Sequence, residues 1–185
     1  MTIKKTRAAT AYSYALPAPK FIAVDFFCGA GGTTRGLIDA GGYVIAGIDK
    51  DARCAATYSH NNVNRSIDGA SARFMHYDIF PKNRLYKSGQ QEELLTALKT
   101  LVPRYRVLAP RVPLLFAICA PCQPFTRLSR NEMSERRSAG RQRDKNLLRE
   151  ATKFVDHFLP EIVLSENVRG IGDKRYGGVW DAFRR

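Results

Sequence analysis

Cys122 lies in the run Ala120-Pro121-Cys122-Gln123-Pro124-Phe125-Thr126, directly after a string of apolar residues. Prolines on both sides restrict the backbone around the thiol, which suits a nucleophile that must be held in one attitude. A free thiol has a pKa of about 8.5 and is mostly protonated at neutral pH, so neighbouring cations would raise its reactive thiolate fraction. Further along, Glu166 sits in Ser165-Glu166-Asn167-Val168. A carboxylate beside the same cleft can act as an acid or hydrogen-bond partner once partial burial raises its pKa. The third element is Asp25-Phe26-Phe27-Cys28-Gly29-Ala30-Gly31-Gly32, a glycine turn of the kind that turns backbone N–H groups toward a ligand. Asp49 follows Gly29 by 20 residues, where an acidic side chain can accept hydrogen bonds from both ribose hydroxyls of an adenosine ligand. Dinucleotide oxidoreductases use the same device, and a turn that only closes βα packing leaves the same pattern. Cys119 and Cys122 also form a C-x-x-C pair, readable as a redox dithiol or half a zinc site. No second Cys or His pair at metal spacing follows, so no metal is expected.

These groups need a scaffold that brings them to one edge, and the hydrophobic pattern supplies it. Residues 21–26 are almost continuously apolar, as in a parallel strand buried on both faces. After the glycines, residues 33–40 fit a helix, stopped by Gly41-Gly42. A second strand fits residues 43–48 and ends at Asp49, and residues 50–60 read as a helix. A strand near 73–77, a turn at 78–82 and a helix at 91–101 follow, with Pro103 and Pro110 marking a connector. Residues 113–119 fit another buried strand, 147–158 a helix and 161–165 a last strand. The βαβα alternation predicts a doubly wound, mainly parallel α/β sheet with helices on both faces. Residues 1–19, basic and carrying Pro17 and Pro19, read as a flexible arm, and the domain begins near Lys20.

The chain has 185 residues, 44% of them hydrophobic, enough for one domain with a real core, which excludes fibrous and wholly disordered classes. Its 30 Lys and Arg against 17 Asp and Glu give a net charge of +13, which favours polyanionic partners such as nucleic acid. The longest uncharged apolar run, residues 112–124, is shorter than the roughly 20 residues a membrane-spanning helix needs. With no secretory signal pattern and too few cysteines for a disulfide framework, a cytoplasmic location is expected, away from membranes. Residues 127–149 carry Arg127, Arg130, Arg136, Arg137, Arg141, Arg143, Lys145 and Arg149 against Glu132, Glu135 and Asp144. A long cationic loop beside a nucleophile reads as a lid that contacts phosphates, its rival being a solvated loop.

Together the three elements resemble the cytosine-5 DNA methyltransferase family. Asp25 to Gly32 is similar to that family's first motif, Pro121-Cys122-Gln123-Pro124-Phe125 to its catalytic motif, and Glu166-Asn167-Val168 to its glutamate motif, in matching order. The resemblance covers roughly residues 20–185 and implies an S-adenosylmethionine-dependent methyltransferase (Rossmann-like) fold. It implies S-adenosylmethionine over the turn formed by Asp25, Phe27, Cys28, Gly29, Ala30, Gly31 and Gly32. Phe27 would lie against the adenine, Asp49 on the ribose, and Lys50, Asp78 and Ile79 around the adenine, with Pro121 and Leu148 completing the set. Cys122 would add to C6 of cytosine in DNA and Glu166 would hold and protonate N3, with Gln123 and Asn167 beside them as further catalytic residues. The target base would be flipped out of the duplex. The continuation Phe125-Thr126-Arg127 is also similar to the tRNA-methylating branch of the superfamily, and a non-catalytic nucleic-acid-binding remnant is a further alternative. Because the sequence stops at Arg185, the family's downstream arginine motif, target-recognition region and final helix are absent. A fragment, or one half of a split enzyme with a second chain, is therefore expected, with an apolar sheet edge left open.

Overall fold

The computed structural model describes residues 16–122, 146–172 and 178–184. The expected arm up to residue 15, Gln123, and the cationic stretch as far as residue 145 lie outside the described residues. Five parallel strands form one sheet in the order β3-β2-β1-β4-β5, with β1 (Ile22–Phe26) at its centre. Its neighbours are β2 (Tyr43–Asp49) on one side and β4 (Leu114–Ile118) on the other, with β3 (Arg73–His76) and β5 (Ile162–Leu164) at the edges.

Every residue of β1 and β4 is buried, which is why, Asp25 apart, their sequences read as apolar runs rather than as alternation. The sheet divides the core into two layers. Ile22, Val24 and Phe26 pack with Leu94, Leu98, Ala151 and Phe154, contributed by α3 (Gln91–Leu108) and α4 (Leu147–Phe158). The alternate residue Ala23 packs on the opposite face with Val44 and Leu115 against Leu37 and Ile38 of α1 (Gly32–Asp39) and Tyr58 of α2 (Ala55–Asn61). Side chains of successive strand residues point to opposite faces, so one strand feeds both layers. The doubly wound arrangement expected from the alternation is thus present. A short helix α5 (Val179–Phe183) packs against α4. Among the described residues no helix is long and apolar enough to cross a membrane.

Three local expectations are corrected. Pro103 does not end a helix at residue 101; α3 runs through it to Leu108. The proline removes one helical donor, but its ring sits on the exposed side while Leu98, Leu101 and Val102 anchor that turn in the core. Residues 50–60 hold two pieces, a 3-10 turn Ala52–Cys54 capped by Asp51, whose Oδ1 accepts from Arg53 N at 3.1 Å, and then α2. β4 ends at Ile118, so Cys119 lies just beyond the strand rather than inside it.

Candidate active site

The glycine turn begins with a reversal at the end of β1. Phe27 has φ 61°, a left-handed conformation that costs a non-glycine residue roughly 1–2 kcal/mol, and its ring lines a cleft. Cys28 N–H donates to Ile48 O at 3.1 Å, holding the turn over the end of β2. Gly31 has φ 94°, and a Cβ there would run into Asn62 and Tyr58. Only glycine fits that position.

Beneath the turn lies a buried polar chain. Thr34 Oγ1, in the first turn of α1, is 2.6 Å from Asp25 Oδ2 and 3.0 Å from Tyr58 OH. With a single proton to donate, Thr34 gives it to Asp25 and accepts from the tyrosine. Burial lifts the Asp25 carboxyl from 3.8 to about 6, against the lowering effect of the Thr34 hydrogen bond. Tyr58 also fills the space that a Cβ on Gly47 would occupy, so one tyrosine backs the turn, α1 and β2 together. Nothing in the sequence marks Tyr58, a lone aromatic in a polar helix.

Asp49 stands at the end of β2, and its carboxylate is partly engaged. Gly29 N–H donates to Oδ2 at 2.8 Å and Asp51 N–H to Oδ1 at 2.9 Å. Asp78 is buried; its Oδ1 accepts from Phe80 N at 3.3 Å and its Oδ2 from Ser88 Oγ at 2.8 Å. Both residues line a cleft at the carboxyl edge of the sheet, together with Phe27, Lys50, Ile79 and Pro121. Six expected cofactor residues therefore meet in one cavity. Asp25, Cys28, Gly29, Ala30, Gly31 and Gly32 form the turn beside it without lining it. Leu148 does not reach it: the side chain is 2% exposed in the core, and Leu147 forms the wall instead. Phe26, Ile48 and Tyr77 complete the lining and were not singled out in the sequence. Tyr77 could have been, since it immediately precedes Asp78 at a strand end. The choice between Leu147 and Leu148 depends on the rotation of α4, which two adjacent leucines do not reveal.

The cysteine and glutamate segments come together at the ends of β4 and β5. Ser165 Oγ donates to Ile118 O at 2.9 Å and Asn167 Nδ2 to Ala120 O at 3.1 Å. Asn167 Oδ1 also accepts from Val168 N at 2.9 Å. These side chains act as rungs beyond the last backbone pairing, so Asn167 braces the turn that leads into Pro121 and Cys122 and spends its amide on that backbone. Cys122 is half-buried, and Glu166 is exposed in a second depression formed by residues 165–169 with Ile171, Gly172 and Trp180. Burial raises the thiols of Cys28 and Cys119; at Cys119 hydrogen bonds from the Glu166 backbone and Thr33 oppose the rise. All four cysteines are free. Among the described residues no group of three or more His, Cys, Asp or Glu is placed to hold a metal ion.

Residues 21–80 match the family model for C-5 cytosine-specific DNA methylase. The chain is 28% identical over 160 residues to the Type II methylase M.HgiDII of Herpetosiphon aurantiacus, an alignment covering 86% of this chain and 36% of that protein. A crystal structure described as a DNA modification methyltransferase encoded within an E. coli prophage superposes with a TM-score of 0.55 at 20% identity, over 88% of this chain and 36% of the other. The S. pombe Dnmt2 methyltransferase aligns at 18% identity with a TM-score of 0.47, over 88% and 39% of the two chains. The prophage likeness shows the fold, a Rossmann-like methyltransferase sheet. The chain spans a little over a third of the length of the relatives it matches. Its kinship with the cytosine-5 DNA methyltransferase family, carried in the sequence by three motifs, is supported by the family model and the Herpetosiphon relative.

Proposed function

We propose that this relative of the cytosine-5 DNA methyltransferases serves the transfer of a methyl group from S-adenosylmethionine to C5 of cytosine in DNA, through a covalent adduct on Cys122. The observation that carries the reading is the pair of side-chain rungs, Ser165 to Ile118 and Asn167 to Ala120. They fix the nucleophile's turn and the glutamate segment to each other at the edge where the cleft opens.

The cleft suits an adenosine ligand. Phe27, Tyr77, Ile79 and Leu147 offer apolar walls for a base, and Asp49 keeps lone pairs for ribose hydroxyls, because each oxygen has accepted one backbone bond. S-Adenosylmethionine would supply the methyl group as an electrophilic sulfonium. The protein's own part is to make cytosine a nucleophile. The Cys122 thiolate adds to C6, Glu166 holds N3 and places a proton there, and electron density moves to C5. After methylation, loss of the C5 proton expels Cys122 and restores the ring. A base inside a stacked duplex is out of reach of this chemistry, so the reading requires a flipped cytosine.

Further polypeptide is part of the proposal. Ile162, Val163 and Leu164 of β5 are 41%, 40% and 44% exposed, and beside them a groove is lined by Val155, Val163, Trp180 and Phe183. An open, wholly apolar edge strand supports a neighbouring segment or second chain that covers it and reads the target sequence.

Trapping tests the reading. On duplex DNA carrying 5-fluorocytosine with S-adenosylmethionine, a denaturation-resistant adduct that requires Cys122 is expected, either from this chain alone or with a chain supplying the remaining motifs. Absence of any adduct under both conditions, with folded protein, sinks the proposal.

A further inference from the structure

We propose that the ordered loop at residues 81–90 is a nucleic-acid docking surface on which Lys82, Arg84 and Lys87 seat the phosphate backbone of the duplex. This rests on the reading above that the substrate is DNA, and it places a contact region outside the cysteine and glutamate segments. Residues 81–90 contain three cations and no carboxylate, and all three cations are exposed. No ion pair among the described residues engages them.

A cationic loop that is merely solvated needs no fixed shape, yet this one is braced from within. Asn83 Oδ1 accepts from Leu85 N at 2.8 Å and Tyr86 N at 2.9 Å, and Asn83 N and Gly89 N donate to Tyr86 O at 3.2 and 3.0 Å. The Tyr86 ring stacks on Phe80 with centroids 4.1 Å apart. Gly89 packs so closely that a Cβ would run into the Phe80 and Pro81 backbone. Preorganised cations lose less conformational freedom on engaging a phosphate than cations on a floppy chain. Position completes the case. The loop leaves β3 through Tyr77, Asp78 and Ile79, three walls of the cleft that Pro121 also lines, so it starts at the carboxyl edge of the sheet. Asn146 Nδ2 donates to Tyr86 OH at 3.2 Å, which ties the loop to the start of α4. Leu85, 84% exposed at the tip, adds an apolar contact of the size a sugar edge presents.

The test is the salt dependence of full-length protein binding to a fluorescently labelled DNA duplex, from 50 to 200 mM KCl. Each phosphate contact contributes about 0.9 to the slope of log affinity against log salt. Lys82→Gln/Arg84→Gln/Lys87→Gln should therefore flatten the slope by about 2.7 and lose about 40-fold less affinity across that range than the wild type. Its S-adenosylmethionine affinity should be unchanged. Lys99→Gln/Arg104→Gln/Arg111→Gln removes the same charge from α3 and the segment before β4, and should shift the slope by less than about 0.5. An unchanged slope in the loop variant, or equal flattening in both variants, overturns the proposal while leaving the DNA reading intact. Wild-type protein that binds S-adenosylmethionine but no duplex overturns both.

Discussion

Val24 in β1 is 0% exposed and Val163 in β5 is 40% exposed, although both are valines in parallel strands of one sheet. Around Val24 the chain supplies every layer it needs, with α3 and α4 on one face and α1 and α2 on the other. The glycine turn is likewise finished, with Tyr58 behind it and Asp49 beneath its amides. Around Val163 one side of the strand has no backbone neighbour among the described residues, and a groove lies next to it. The side of the molecule that carries the glycine turn is self-sufficient in burial, whereas the strand behind Glu166 leaves an apolar edge exposed.

The largest effect expected is at the nucleophile. Cys122→Ser should reduce methyl transfer by about 10³-fold or more while leaving S-adenosylmethionine affinity by calorimetry untouched, because the cleft does not use the thiol. Equal turnover in the variant removes Cys122 from its role. The next tests the buried chain on the self-sufficient side. Folded Asp25 keeps its proton up to about pH 6, whereas the unfolded carboxyl releases it near 3.8. The raised value favours the folded state fully below that lower pH, and the advantage is lost as pH climbs through about 6, a decline of about 3 kcal/mol. Urea melts of wild type and Asp25→Asn at about pH 4 and about pH 7 isolate it: the difference between the two proteins should change with pH, and a constant difference would show that burial does not control this carboxyl.

A matched pair then addresses the comparison directly. Val24→Ala should cost about 2.5 kcal/mol in stability and Val163→Ala under about 1 kcal/mol. If a covering chain is added and β5 becomes buried, the second cost should rise toward the first. On ligand binding a more modest effect than at the nucleophile is expected at Asp49→Ala, where S-adenosylmethionine affinity should fall about tenfold, the equivalent of one charge-assisted hydrogen bond. Unchanged affinity would take Asp49 out of the site and leave it as a brace for Gly29 and Asp51.

The sequence was readable wherever one physical demand dominated. A strand buried on both faces has to be apolar throughout, so residues 21–26 announced β1 within one residue of its observed start. The expected helix at 147–158 matches α4 because a strongly amphipathic pattern fixes both its length and its face. The cysteine, glutamate and glycine segments lie at strand ends because sheet topology leaves ligand groups few other places to converge. Contacts that depend on packing between distant segments were not readable. Tyr58 backs Gly31 and Gly47 from a helix whose sequence is otherwise polar, Asn167 turns its amide to the Ala120 backbone, and Leu147 rather than Leu148 meets the cleft. Pro103 misled because the core beneath Leu101 and Val102 outweighs one missing donor.

The strand order also bears on how the chain is made. Ile22 of the central strand pairs with Leu114, about 90 residues later in synthesis. At roughly 5–20 residues per second, one edge of β1 waits about 3–14 s on the ribosome after the other has met β2. During that interval an apolar strand with free backbone donors is open to capture by a nascent neighbour or a chaperone. A slowed ribosome between residues 50 and 114 should therefore lower the yield of soluble protein more than one slowed after residue 118.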